Sequence, residues 1–269
     1  MEIALVQLRI EAGDVAGNVD RALAAIEDAA AAGADLVCLP EIFTVGYFAF
    51  EEYEQYAESL AGPTLGAVAD AANHHDVAVL AGSIVEDLAA SSADGLATPA
   101  ESGLANASVL VDRSGNRRAV YRKHHLFGYE SAEADLLVPG ESLGVADISG
   151  FTVGMTTCYD LRFPELYRDL AEAGADLILV PSAWPYPRVE HWQLLPRARA
   201  IENQVFVATC NGSGVFDDTA LCGRSSVYDP WGNVLADSDD APTIVTADID
   251  PDRVESVREE FPAWHDRRG

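Results

Sequence analysis

An α/β architecture with mixed sheets is predicted for this 269-residue chain by three observations. Short apolar runs alternate with Ala-rich helical segments from one end of the chain to the other. Tight-turn signals join consecutive strand-like runs in the middle of the chain and again near its end, so hairpins accompany the helical crossovers. With 49% hydrophobic residues, the chain can fill a sizeable core. The hairpins exclude a purely doubly wound sheet, in which every crossover is helical. No linker divides the sequence, so residues 1–269 are read as one domain.

The elements follow in order. "IALVQLRI" is an apolar strand, and "NVDRALAAIEDAAAAG" has helical spacing with a glycine stop. "ADLVCLPE" is a short buried strand ending at Pro40-Glu41. "PTLGAVADAANHHD" reads as a helix and "VAVLAGSIVE" as a strand. The segment "DLAASSADGLATPAESG" is small, polar and aperiodic, which predicts a surface loop. "LANASVLVDRSGNRRAVYRKHHLF" is strand, turn at Asp112–Gly115, strand. "FTVGMTTCYD" is a strand that leads into the helix "PELYRDLAEAGA". "DLILVPSAW" is a buried strand, and "HWQLLPRARAIENQ" is a helix that Pro196 starts or kinks. "VFVATCNGSG", "CGRSSVYD" and "GNVLAD" are strands, with a type I turn at Asp229-Pro230-Trp231-Gly232. "TIVTADIDPDRVESVREEF" closes the chain as strand and helix.

The charge balance is extreme. There are 17 Lys+Arg against 44 Asp+Glu, a net charge of −27, and Lys123 is the only lysine. Self-repulsion of that size opposes compaction unless salt screens it. An acidic, lysine-poor and still globular chain reads as a cytoplasmic protein of a salt-in halophile. No basic stripe exists to neutralise phosphates, so neither nucleic acid nor an anionic membrane is a predicted partner. No apolar run reaches the length of a membrane span, and the N-terminus lacks the basic region of a signal peptide. Cys38, Cys158, Cys210 and Cys222 show no CxxC spacing and are read as reduced thiols.

Three residues stand out chemically. Cys158 lies at a strand-to-helix elbow, where a helix N-terminus favours the thiolate; the alternative is a small buried hydrophobe, which the other three cysteines fit. Glu41 ends a buried strand, where desolvation raises a carboxyl pKa toward neutrality; the alternative is one more rim glutamate. A solvated role suits Lys123 poorly in a chain that avoids solvated lysines. Its compact ammonium can sit against a carboxylate, a thiolate or an oxyanion. The histidine pairs His74-His75 and His124-His125 would point to opposite faces of a strand, so neither is a ready chelate and no metal site is predicted.

The motifs "LPEIFTVGY", "YRKHHLF", "CYDLRFPELYR", "RARAIENQVFVA" and "GRSSVYDPWGNVL", in this order over nearly the whole chain, resemble the nitrilase (carbon–nitrogen hydrolase) superfamily. The resemblance implies an αββα sandwich of two mixed sheets with helices on both outer faces. It implies a Glu–Lys–Cys triad at Glu41, Lys123 and Cys158, and a second glutamate at Glu130. It implies no cofactor, and a homodimer or larger homo-oligomer. "CYDLRFPEL" with "SAWPYPRVEHWQLLPRARAIENQ" is similar to the ω-amidase branch, whose substrates are small ω-amides. The same fold also serves nitrilases, N-carbamoyl hydrolases, deaminated-glutathione amidases and non-catalytic binding members. For a far-end carboxylate the expected partner is Arg188, with Trp184 as an apolar wall and Tyr159 supplying a backbone N–H to the oxyanion. Arg162 is read as a structural helix-start or ion-pair residue, and Arg197, Arg199, Glu202 and Asn203 as fold or interface residues. The segment at 88–104 is long for the family, and two roles stay open: a surface insertion or a cover over the site.

Overall fold

The structure is a computed structural model that describes residues 1–129, 131–216 and 218–268. The first half runs β1 (Glu2–Gln7), α1 (Val15–Ala31), β2 (Leu36–Cys38), α2 (Tyr53–Tyr56), α3 (Pro63–His75), β3 (Ala78–Leu80) and β4 (Ile84–Asp87). Next come α4 (Leu88–Ala93), β5 (Leu104–Val111), β6 (Arg117–Arg122), α5 (Glu133–Leu136), β7 (Gly144–Ile148) and β8 (Phe151–Met155). The second half continues with α6 (Pro164–Glu172), β9 (Leu177–Ser182), α7 (Val189–Asn203), β10 (Phe206–Asn211), β11 (Val215–Phe216) and β12 (Thr219–Ala220). It closes with β13 (Ser226–Tyr228), β14 (Val234–Asp237), β15 (Thr243–Asp248) and α8 (Asp252–Glu260).

Two mixed sheets form. One has the order β15-β1-β2-β3-β5-β4, with β6 also on β5; the other has the order β14-β13-β10-β9-β8-β7. Each has a parallel centre, β1-β2-β3 in the first and β8-β9-β10 in the second, with antiparallel strands added outside.

The period-2 alternation of the strands builds the layers. Ile3, Leu5, Leu36, Cys38 and Leu80 point into the space between the sheets, where they meet Val153, Met155, Leu177, Leu179 and Phe206. Their neighbours Ala4, Val6, Val37 and Val79 point the other way, onto Ala22 and Ile26 of α1 and Leu65 and Val68 of α3. On the second sheet Ile178, Val180 and Val207 face Tyr167 and Leu170 of α6 and Trp192 and Ala200 of α7. Both faces of the central strands are therefore buried, which is why those strands read as continuous apolar runs.

Two local expectations change. The segment after Asp87 begins as a helix, because the Asp87 carboxylate caps Ala89 N–H and Ala90 N–H and Leu88 is buried. Further along, Ala97 O accepts from Arg122, and the segment lies over that side of β6. Pro196 lies inside α7, which starts at Val189, so it does not begin the helix. No helix among the described residues is long and apolar enough to cross a membrane.

Candidate active site

Four segments converge just past strand carboxyl ends. Glu41 follows β2, Lys123 follows β6, Cys158 follows β8, and Ala183-Trp184 follow β9. Strand direction makes this possible, since β6 is antiparallel to β5 and β5 antiparallel to β3, so β6 runs with β2 and β3. The backbone around Glu41 is tightly held. Glu41 N–H donates to Ser182 O of the facing sheet, and Ile42 N–H donates to Ser83 Oγ. Gly82 makes that close approach possible: a Cβ there would meet Pro40 O at 1.9 Å.

Lys123 Nζ donates to Glu41 Oε1 at 2.9 Å and to Glu133 Oε1 and Oε2 at 2.8 and 2.9 Å. All three side chains are fully buried. Asn106 of β5 donates a second shared bond, to Glu41 Oε1 at 2.9 Å and Glu133 Oε1 at 3.2 Å. Glu133 Oε2 also accepts from Tyr47 Oη and Phe127 N–H. The other oxygen of Glu41, Oε2, accepts from Ala183 N–H at 2.9 Å. Two carboxylates thus share one ammonium and one amide. Glu130 lies outside the described residues; the second carboxylate found on Lys123 is Glu133.

The electrostatics follow from burial. Burial raises the Glu41 pKa, Lys123 opposes it, Glu133 adds to it, and the net result is above the ordinary carboxyl range. Burial alone would discharge Lys123, but Glu133 and then Glu41 outweigh it and hold the ammonium well above its ordinary value. The Cys158 thiol is pushed well up, first by burial and then by the Glu41 charge, with Lys123 acting against them. This reverses the expectation of a helix-stabilised thiolate. The desolvated sulfur rests as a thiol in contact with Glu41, so its proton has a carboxylate to go to when an electrophile arrives.

Cys158 opens a 3₁₀ turn (Cys158–Arg162) before α6 and has φ +47°. A left-handed non-glycine residue costs on the order of 1–3 kcal/mol and persists only when its surroundings over-determine it. Here the Thr157–Asp160 capping box holds the start of the turn, and the Arg199 guanidinium donates twice to Leu161 O. Arg199 therefore serves the fold at the site.

A small cavity opens over the sulfur. Tyr159, Trp184 and Arg188 line it with Cys158, together with Tyr47, Phe48 and Phe127. Arg162 also lines it, which corrects the reading of that residue as a helix-start side chain. Its guanidinium lies over the Trp184 ring at 5.0 Å and the Tyr159 ring at 5.7 Å, while Arg188 lies over Phe127 at 5.6 Å. Neither arginine pairs with a carboxylate among the described residues. Residues 88–104 take no part in the described lining of this cavity.

A thiol lining an aromatic, doubly cationic cavity, with a buried carboxylate and ammonium behind it, is an arrangement that can perform acyl transfer. The carbon–nitrogen hydrolase family model matches residues 2–259, and the chain belongs to that family. It is a cysteine-dependent amidase of the nitrilase superfamily. The 2-oxoglutaramate amidase of Paenarthrobacter nicotinovorans is 34% identical over 274 aligned positions, covering 100% of this chain and 90% of that one. Human omega-amidase NIT2 is 34% identical over 276 positions, covering 99% of this chain and 94% of its own. The crystal structure of Saccharomyces cerevisiae Nit3, from branch 10 of the nitrilase superfamily, superposes with a TM-score of 0.88 at 31% identity, covering 100% of this chain and 97% of that one.

Proposed function

We propose that this amidase hydrolyses the terminal carboxamide of a small linear dicarboxylic or keto acid, an ω-amide, to the carboxylate and ammonia. What carries the reading is the cavity: a thiol at its floor, and two guanidiniums without a carboxylate partner among the described residues in its wall. A neutral amide gives neither cation an anionic partner, whereas a far-end carboxylate does. The names of the relatives point to the same substrate class.

In the proposed mechanism Glu41 takes the Cys158 proton as the sulfur attacks the amide carbon. Lys123 and the Tyr159 N–H hold the oxyanion. Glu41 returns the proton to nitrogen, ammonia leaves, and a thioester remains on Cys158. Glu41 then takes a proton from water, the hydroxide adds to the thioester, and the thiol is regenerated as the acid departs. Glu133 keeps the ammonium charged and aimed throughout. The test is ammonia release from 2-oxoglutaramate against butyramide, which has a similar amide end and no acid. A kcat/KM ratio of about 10² or more is expected, and equal turnover of the two would refute the substrate class. Mass spectrometry of quenched reactions should find the acyl group on Cys158.

We also read the charge of −27 as that of a cytoplasmic protein in molar salt, and the chain as a homodimer or larger assembly. Leu194, Ile201, Trp231 and Phe261 remain exposed and apolar, which supports a second copy as partner.

A further inference from the structure

Asp160 is fully buried and accepts four hydrogen bonds. Its Oδ2 accepts from Tyr121 Oη at 2.6 Å and Thr157 N–H at 2.9 Å. Its Oδ1 accepts from His125 N–H at 3.0 Å and from His125 Nδ1 at 2.8 Å. The His125 Nδ1 contact is a donor contact in the tautomer that protonates Nδ1. The identity of the donors is what matters. Tyr121 and His125 lie two residues either side of Lys123, and Thr157 immediately precedes Cys158. One carboxylate therefore ties the segment that carries the lysine to the turn that carries the cysteine.

The tie continues on the far side of the imidazole. The His125 ring stacks on Phe163 with centroids 3.6 Å apart and planes 7° from parallel. Phe163 in turn meets the Tyr159 ring edge-on at 5.4 Å. Neither Asp160 nor His125 lines the cavity over Cys158. Both act at one remove, through Thr157, Tyr159 and the backbone of residues 121–125.

We propose that Asp160 and His125 are a positioning pair that sets the placement of Lys123 relative to Cys158, and through it kcat. The proposal rests on the Glu41–Lys123–Cys158 reading of the site. A misplacement of about 1 Å in such a constellation costs roughly 10² in rate. Asp160→Asn keeps one acceptor oxygen and turns an NH₂ toward two donors, whichever way the amide is oriented. His125→Phe keeps the stack on Phe163 and loses the Nδ1–H. His125→Asn loses the stack but puts an amide N–H near the place of Nδ1.

The test measures kcat and KM on 2-oxoglutaramate, the rate of Cys158 alkylation by iodoacetamide at pH 7.5, and the urea midpoint for each variant. Asp160→Asn should lower kcat by about 10², with KM within roughly threefold and alkylation slowed in parallel. His125→Phe should lower kcat about tenfold, and His125→Asn should recover most of that loss. A purely structural role moves the urea midpoint and leaves kcat and alkylation of the folded enzyme unchanged; that result overturns the proposal. So does a His125→Asn no better than His125→Phe, a comparison that decides the matter if Asp160→Asn does not fold. Turnover by Cys158→Ala would be a different failure, removing the triad reading itself.

Discussion

Glu133→Gln tests the site where structure and sequence motif part. Four donor groups make five contacts with the Glu133 carboxylate: Lys123 twice, Asn106, Tyr47 Oη and Phe127 N–H, at 2.7–3.2 Å. A glutamine keeps one of the two oxygens, and its NH₂ faces at least two donors in either orientation. Removing one partner of a buried ion pair costs roughly 3–5 kcal/mol. Lys123 keeps Glu41, so the lower end applies, about 3 kcal/mol. At roughly 2–4 °C per kcal/mol for a chain of this size, the melting midpoint should fall by about 6–12 °C. Activity should fall further than stability, because a lysine drawn toward Glu41 alone is no longer aimed at the oxyanion; a loss of about 10² in kcat/KM is expected. The assays are ammonia release from 2-oxoglutaramate and thermal unfolding by circular dichroism, with Glu130→Gln measured beside them. A Glu133→Gln enzyme within about threefold of wild type in kcat/KM, or a larger loss in Glu130→Gln, would refute the assignment.

Four further outcomes are expected. Cys158→Ala should abolish turnover, and Lys123→Arg should nearly do so although charge is kept, because a planar guanidinium does not fit the buried position between two carboxylates; wild-type-like rates in either would remove the triad. Arg162→Met and Arg188→Met should each raise KM for 2-oxoglutaramate by about tenfold while leaving butyramide unchanged, and equal effects on both amides would argue against a carboxylate subsite. Asp176 has its carboxyl pKa raised to about 6, chiefly by burial. Between the ordinary value of 3.8 and about 6 the native state holds a proton that the unfolded chain has released, so stability falls as pH rises through that window. Asp176→Asn should flatten that fall and add about 1–2 kcal/mol above pH 7 after allowance for solvent screening; an unchanged urea midpoint at pH 7.5 would contradict it. Dilution from molar KCl, which lengthens the Debye screening length from roughly 3 Å to 10 Å or more, should unfold the chain, and full retention of the circular dichroism spectrum in salt-free buffer would defeat the halophilic reading.

Much of the site is legible in the chain itself. Lys123 is marked by composition, since a sequence that excludes lysine elsewhere keeps this one, and it is fully buried between two acids. Glu41 and Cys158 are marked by strand ends, where an apolar run stops and a side chain can face a cleft. Asn106 leaves a fainter trace, a lone amide in the apolar run "LANASVLV", and a buried polar side chain needs a partner. Glu133 leaves none. Residues 124–129 and 131–132 belong to no helix or strand, and without a period no rule says which acid of the segment turns inward. Arg162 reads as a helix-start or ion-pair residue, and Asp160 carries no mark in the sequence, because their neighbours in space come from other segments.

The alternation of apolar residues determined the long helices, the central strands, their order and the burial of both strand faces, because those depend on neighbours two to four positions away, while α2, α4, α5 and β7 were not read from it. The charge balance and the solitary lysine were likewise properties of the chain alone. Tertiary structure alone decided that Glu133 shares the ammonium with Glu41, that burial pushes the Cys158 thiol pKa up, and that Asp160 bonds both the segment around Lys123 and the turn at Cys158. The physical reason is common to all three. Hydrogen bonds and desolvation act over a few ångströms in space, and their partners here lie from 3 to 142 residues apart in the chain. Only the packing of one sheet on the other brings Glu41 to Ala183 and, with it, carboxylate, ammonium and sulfur together.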